Sequence, residues 1–230
     1  MTSMTTVDQN ISLKSKDSCD SKGLIKNDSI SFLIARIFQI ILPKTWFCWI
    51  SRGSIQLQAF LRPHKWSYWT KISDKIYLGA MPLKNKNHID KIINLGIKAI
   101  LSINEDYELQ DQLCAKPVKP KDWQERNVRV LKISSPDLKP IEISKLAQAI
   151  NYVVQEVNLG NSVYVHCTGG RGRSASVVVG SLIQTTNCSL EEAIRHIQKC
   201  RPQVMLSEKQ KEAIGICCHN LSTRISYSYA

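Results

Sequence analysis

The chain has 230 residues, 43% hydrophobic and 22% charged, which is room for one domain of ~100–150 residues plus an extension and excludes a wholly disordered, collagen-like or disulfide-dense chain. No apolar run reaches the ~18–20 residues of a spanning helix, so a multi-span membrane protein is excluded too. The balance of 31 Lys and Arg against 19 Asp and Glu, a net +12, favours an anionic partner: nucleic acid, anionic lipid or a phosphorylated substrate.

Residues 1–29 are rich in Ser, Thr, Lys, Asp and Asn, lack periodicity and read as a disordered tail. Asp8, Asp17 and Asp20 fall there with no Arg before Arg36, unlike a mitochondrial transit peptide. Ile30–Leu42 is the most apolar stretch, broken by Arg36 and Gln39, which would share one polar stripe of a helix. Two readings stand: a helix in a membrane interface, or a helix docked on the domain. From Lys44 to Lys91 nine Lys and Arg stand against two Asp, interleaved with Trp46, Trp49, Trp66 and Trp69. That mixture suits a headgroup layer; packing of some of these tryptophans under the domain is the plainer account. Single-stranded nucleic acid ranks below both, since no RNA-binding motif accompanies it. Residues 30–65 are therefore set apart as an apolar, basic, Trp-rich segment, membrane-associating on one reading and packed on the domain on the other, and 66–222 as the folded domain.

Within that domain strand and helix signals alternate. Lys75–Leu78 reads as a strand ending at Gly79, and His88–Leu95 as a helix stopped by Gly96. Ala99–Ile103 and Val128–Ile133 read as strands. Ile143, Leu146, Ala147, Ile150, Val153, Val154 and Val157 keep helical spacing up to Gly160. Ser162–Cys167 is another strand and Ser174–Thr186 a helix. Ser189 with Glu192, and Ser207 with Gln210, have the capping-box spacing that opens two further helices. The layout predicts an α/β domain with a central mixed sheet flanked by helices. Eight cysteines are scattered without a CxxC or a Cys/His quartet, so no structural zinc site and no disulfide framework are expected. Most are read as small buried hydrophobes in a reducing, intracellular compartment.

The chemistry concentrates in His166-Cys167-Thr168-Gly169-Gly170-Arg171-Gly172-Arg173-Ser174. A buried strand runs into a glycine-rich loop and then a helix, so backbone N–H groups and the helix dipole converge on one place that favours an oxyanion. Gly169, Gly170 and Gly172 remove side chains that would block close approach. Cys167 at the strand's end meets that positive field, which favours the thiolate, its reactive form. Arg173 has the planar fork that binds two phosphate oxygens at once, and Ser174 can donate a hydrogen bond to the sulfur. A thiolate beneath a bound phosphate is set for in-line attack. An inert cysteine in a glycine turn is the alternative, and the residues around it weigh against that.

This nonapeptide resembles the signature of the cysteine-dependent protein tyrosine phosphatase superfamily, dual-specificity branch. The likeness extends over roughly Trp66–Ile216 and is strongest to the subfamily of the mitochondrial phosphatidylglycerophosphate phosphatase, through Ile76–Leu83 (IYLGAMPL), Ile103–Glu108 (INEDYE) and the YVHCTGGRGRSA stretch. It implies a phosphoric monoester hydrolase that needs no cofactor or metal and works through a cysteinyl-phosphate. It also implies a general acid after the strand preceding the signature; the matching residue is Asp137, on the Pro-flanked stretch SSPDLKP. His166 is a supporting residue, and Thr168, Gly169, Gly170, Arg171, Gly172 and Ser174 are expected to line the substrate. Two positions depart from the family: Thr168 stands where many relatives have Lys, and Gly169 where Ala is usual. Arg171 partly replaces the lost charge, against a second phosphate or a lipid headgroup, or as a solvated side chain. Glu105, Asp106 and Glu108 look like paired carboxylates, and the likeness assigns them loop bracing. His64, His88, His196 and His219 are expected at surface or capping positions. The expected substrate is a phospholipid such as phosphatidylglycerophosphate or a phosphoinositide, at an anionic membrane surface to which the chain binds peripherally. The alternative is a dual-specificity phosphatase acting on phosphotyrosine and phosphoserine or phosphothreonine proteins; no nucleic acid is expected.

Overall fold

A computed structural model describes residues 67–112 and 115–228. The tail expected over 1–29 and the segment expected over 30–65 lie outside the described residues, as does Cys114. Five strands form one sheet: β1 (Trp69–Lys71), β2 (Ile76–Gly79), β3 (Ile97–Ile103), β4 (Arg129–Ile133) and β5 (Ser162–His166). Among the described residues six α-helices accompany them: α1 (His88–Asn94), α2 (Pro120–Gln124), α3 (Ile143–Asn158), α4 (Arg173–Thr186), α5 (Leu190–Cys200) and α6 (Glu208–Ser228).

The sheet order is β1-β2-β5-β3-β4. β1 runs antiparallel to β2, and β2, β5, β3 and β4 are mutually parallel. Side chains of a strand alternate between faces, and the core divides accordingly. Ile76, Leu78, Ala99, Leu101, Ile103, Val163 and Val165 join one cluster with α3, α4, α5 and α6. Ile100 and Tyr164 point the other way, into a second cluster closed by Ile92 of α1 and Trp123 of α2. Both faces of the central strands are covered, which explains why they read as continuous apolar runs.

The capping box predicted at Ser189 opens α5, with the Ser189 hydroxyl accepting the Glu192 N–H and the Glu192 carboxylate accepting the Ser189 N–H. Two elements had no signal in the sequence. β1 has three residues, none of them buried, so no alternation shows; α2 has five residues and begins at a proline. His88, expected at the surface or in a cap, is buried: its Nδ1 accepts the Leu83 N–H and its ring meets those of Tyr68 and Trp69 edge-on.

Because four strands are parallel, their carboxyl ends open on one edge of the sheet, where α/β proteins place their sites. Four loops meet there: after β2 at Ala80, after β3 at Asn104, after β4 at Ser134 and after β5 at Cys167.

Candidate active site

Cys167 follows the last residue of β5, the central strand, and Arg173 is the first residue of α4. The five residues between them close a loop whose backbone is held from behind. Met81 N–H donates to the Thr168 carbonyl at 3.2 Å, and Met205 N–H to the Arg171 carbonyl at 3.1 Å. Gly170 has a left-handed φ of +65°, and a Cβ there would stand 2.3 Å from the Gly79 carbonyl oxygen. Glycine at 170 is thus demanded by the backbone packed behind the loop as well as by its own dihedral.

Cys167 is buried and free, and the Ser174 hydroxyl donates to its sulfur at 3.2 Å. His166 lies under the loop, stacked on Tyr164 with ring centroids 5.6 Å apart. Burial lowers the His166 pKa to about 4, with the backbone at Cys167 opposing in part, so the ring is neutral near pH 7. The Tyr164 hydroxyl donates to the Ala80 carbonyl at 2.5 Å.

Arg173 is buried and surrounded by acceptors. Its Nη1 and Nη2 donate to the two Glu108 oxygens at 2.7 Å each, a two-pronged pair. Nη1 also reaches the Ser135 carbonyl at 2.9 Å, and Nη2 lies 3.1 Å from Asp137 Oδ1. Burial works against the Arg173 charge, yet Asp137 and Glu108 hold its pKa well above the ordinary value. Burial likewise pushes Glu108 up, but Arg173, the Thr168 hydroxyl and the Glu105 N–H outweigh it and keep that carboxyl below the usual carboxylate range. Asp137 sits between Pro136 and Leu138, and Leu138 has φ +58°, a rare conformation for a branched side chain. The structure therefore brings Cys167, Arg173, Asp137 and Ser174 to one edge of the sheet. Thr168 turns inward, with its hydroxyl bonded to Glu108 and Asn104. Gly169 and Gly172 are half-buried, and Arg171 lies across the loop from Gln203, donating from Nε to its carbonyl at 3.1 Å.

Two contributors went unread in the sequence. Arg201, fully buried, donates to the Gly170 and Ser67 carbonyls at 3.0 and 2.9 Å and to the Thr70 hydroxyl at 3.0 Å. Gln210 reaches the Lys139 carbonyl at 3.4 Å, linking the start of α6 to the segment carrying Asp137. Its spacing from Ser207 marked a cap only. Among the described residues no group of three or more His, Cys, Asp or Glu is placed to hold a metal, and no helix is long and apolar enough to cross a membrane.

A thiol under a loop of amides, a fixed cation and a carboxylate on a neighbouring loop are the parts that phosphoryl transfer to sulfur requires, and the chain is similar to known phosphatases. The family model for the dual specificity phosphatase catalytic domain matches residues 76–215. Phosphatidylglycerophosphatase and protein-tyrosine phosphatase 1 of Mus musculus is 30% identical over 185 residues, covering 80% of this chain and 91% of its own. Phosphatidylglycerophosphate phosphatase PTPMT1 of Arabidopsis thaliana is 28% identical over 149 residues, 64% of this chain and 41% of its own. The crystal structure of PTPMT1 in complex with PI(5)P superposes with a TM-score of 0.63 at 29% identity, covering 69% of this chain and 99% of that one. The chain belongs to the dual specificity phosphatase catalytic-domain family and is a cysteine-dependent phosphoric monoester hydrolase.

Proposed function

We propose that this phosphatase removes a phosphomonoester from an anionic phospholipid at a membrane surface, with Cys167 as nucleophile, Arg173 gripping the transferred phosphoryl group and Asp137 as general acid. The observation that carries the reading is the convergence of these three residues at one edge of the sheet, with the Ser174 hydroxyl 3.2 Å from the sulfur and Arg173 Nη2 3.1 Å from Asp137. In the first step the thiolate attacks phosphorus, the P–O ester bond breaks, and Asp137 gives its proton to the departing alkoxide. In the second, water attacks the cysteinyl-phosphate, Asp137 takes the water proton, and the P–S bond breaks with its electrons returning to sulfur. Ser174 stabilises the thiolate as it leaves. Ester and water thus become alcohol and phosphate with the enzyme unchanged.

A lipid substrate is supported by the name of the mouse relative and by the phosphoinositide held in the PTPMT1 crystal structure. The net charge of +12 and the aromatic, basic stretch from Lys44 to Lys91 add electrostatic attraction to an anionic surface. The test offers the full chain a phosphatidylglycerophosphate-containing vesicle, a phosphoinositide vesicle, and phosphotyrosine and phosphothreonine peptides. The lipids are expected to show kcat/KM at least about tenfold above the peptides, a transition-state difference of ~1.4 kcal/mol. Cys167→Ser should abolish turnover of every substrate, an aryl phosphate included, while keeping the thermal melt. Peptides turned over faster than both lipids overturn the lipid assignment, and an active Cys167→Ser protein overturns the mechanism.

A further inference from the structure

The position after the nucleophile does not face the site mouth. Thr168 is 6% exposed, and its hydroxyl donates to Glu108 Oε1. Its lone pairs in turn accept from Asn104 Nδ2 at 3.0 Å, and Asn104 Oδ1 accepts from the Ser102 hydroxyl at 3.3 Å. Ser102, Asn104, Thr168 and Glu108 are all buried. Every bond in this chain runs the same way, from Ser102 on β3 towards Glu108, so each donor polarises the next. Glu108 also accepts the Glu105 N–H at 2.7 Å and both prongs of Arg173. Four donors fill the acceptor sites of one carboxylate. The carboxylate cannot rotate without orphaning a buried donor, and Arg173 is fixed with it. Arg173 Nε meanwhile has no partner among the described residues.

We propose that Thr168 and Asn104 are positioning residues: their buried hydrogen-bond chain from the sheet locks Glu108 in the orientation that aims the Arg173 fork. This rests on the reading of Arg173 as the group that grips phosphate. It changes what position 168 does, because its side chain braces the site from inside and gives no charge to the rim. Second-site phosphates of a multiply phosphorylated headgroup then find no cation from this position.

The test compares Thr168→Val, which keeps the shape and loses the hydroxyl, with Thr168→Ser, which keeps it, in the full chain with an aryl phosphate and orthovanadate. Thr168→Val is expected to lose about 10–100-fold in kcat/KM, mostly in kcat, and to bind vanadate correspondingly more weakly; Thr168→Ser should stay within about threefold. The pH profile separates positioning from bulk structure. Glu108 faces the Arg173 guanidinium from α4, with Asp137 beyond it and His166 and Cys167 beneath. As pH falls, protonation of Glu108 opens the lock and activity drops. Removing a donor that holds that carboxyl low makes protonation come earlier, so the acid limb moves to higher pH in Thr168→Val and not in Thr168→Ser. A Thr168→Val protein with the parent's acid limb and vanadate affinity overturns the proposal. Should Thr168→Val lose its cooperative melt, Asn104→Leu carries the same comparison with the same two outcomes. Hydrolysis by Cys167→Ser would instead overturn the underlying reading, so the two failures are distinguishable.

Discussion

Two guanidinium groups are buried beside the loop from Cys167 to Arg173, and their surroundings are opposites. Arg173, 1% exposed, meets two carboxylates. Arg201, 0% exposed, meets only carbonyl and hydroxyl oxygens among its hydrogen-bond partners. The consequence appears in their affinity for the proton: Arg173 is held well above its ordinary value, whereas burial lowers Arg201 to about 10, with Tyr164 and Cys167 only partly opposing. A buried cation without a carboxylate is costly, so the loop's shape must repay it. Arg201 ties the Gly170 carbonyl to Ser67 and Thr70, just before and within β1. The first arginine is held by carboxylates and the second holds backbone, as the proposed grip on phosphate and the anchoring of the loop require.

The contrast can be broken most sharply at Arg173. Arg173→Lys keeps the charge and loses the fork, so kcat/KM for an aryl phosphate should fall by about 10²–10³-fold. Arg201→Lys should cost much less activity, because a carbonyl anchor needs donors more than a planar pair; an equal loss in steady-state kinetics would erase the distinction. Next in size is Arg201→Met, which orphans the buried Gly170 carbonyl and should cost on the order of 1–3 kcal/mol in urea unfolding, the penalty of about one unmade buried hydrogen bond. A midpoint unchanged from the parent would show that carbonyl finding another donor. The smallest effect uses His166, which the Arg173 charge and above all burial keep neutral down to about pH 4. The unfolded chain takes up that proton near pH 6.5 and the folded one does not, so stability is present above about 6.5 and falls towards 4, by at most about 1.4 kcal/mol per pH unit for one proton. Melting temperatures at about pH 7 and 5 check the sign, and His166→Gln should flatten the difference.

The sheet and its main helices were legible because each element carries its own period over enough residues: α3 through sixteen residues of helical spacing, and β3 and β5 through apolar runs. The loop from Cys167 to Ser174 was legible for a different reason, since its parts are contiguous. What surrounds it was not. Glu108 meets Arg173 across 65 positions, and Arg201 meets Gly170 across 31. An arginine closing an amphipathic helix just before Pro202 reads like any solvated basic residue, and nothing local says that its guanidinium is buried. Glu108 was assigned a bracing role only through the family likeness, and the inward turn of Thr168 had no local signal, since a threonine suits rim and interior alike.

The loop's posterior contacts come from far apart in the chain: Met81 follows the second strand, while Arg201 and Met205 lie between α5 and α6. Catalytic competence is therefore a gauge of the whole domain's integrity. Loosening of either the Met81 or the Arg201–Met205 segment should release the cradle while the sheet still holds, so inactivation on warming is expected to precede the loss of secondary structure.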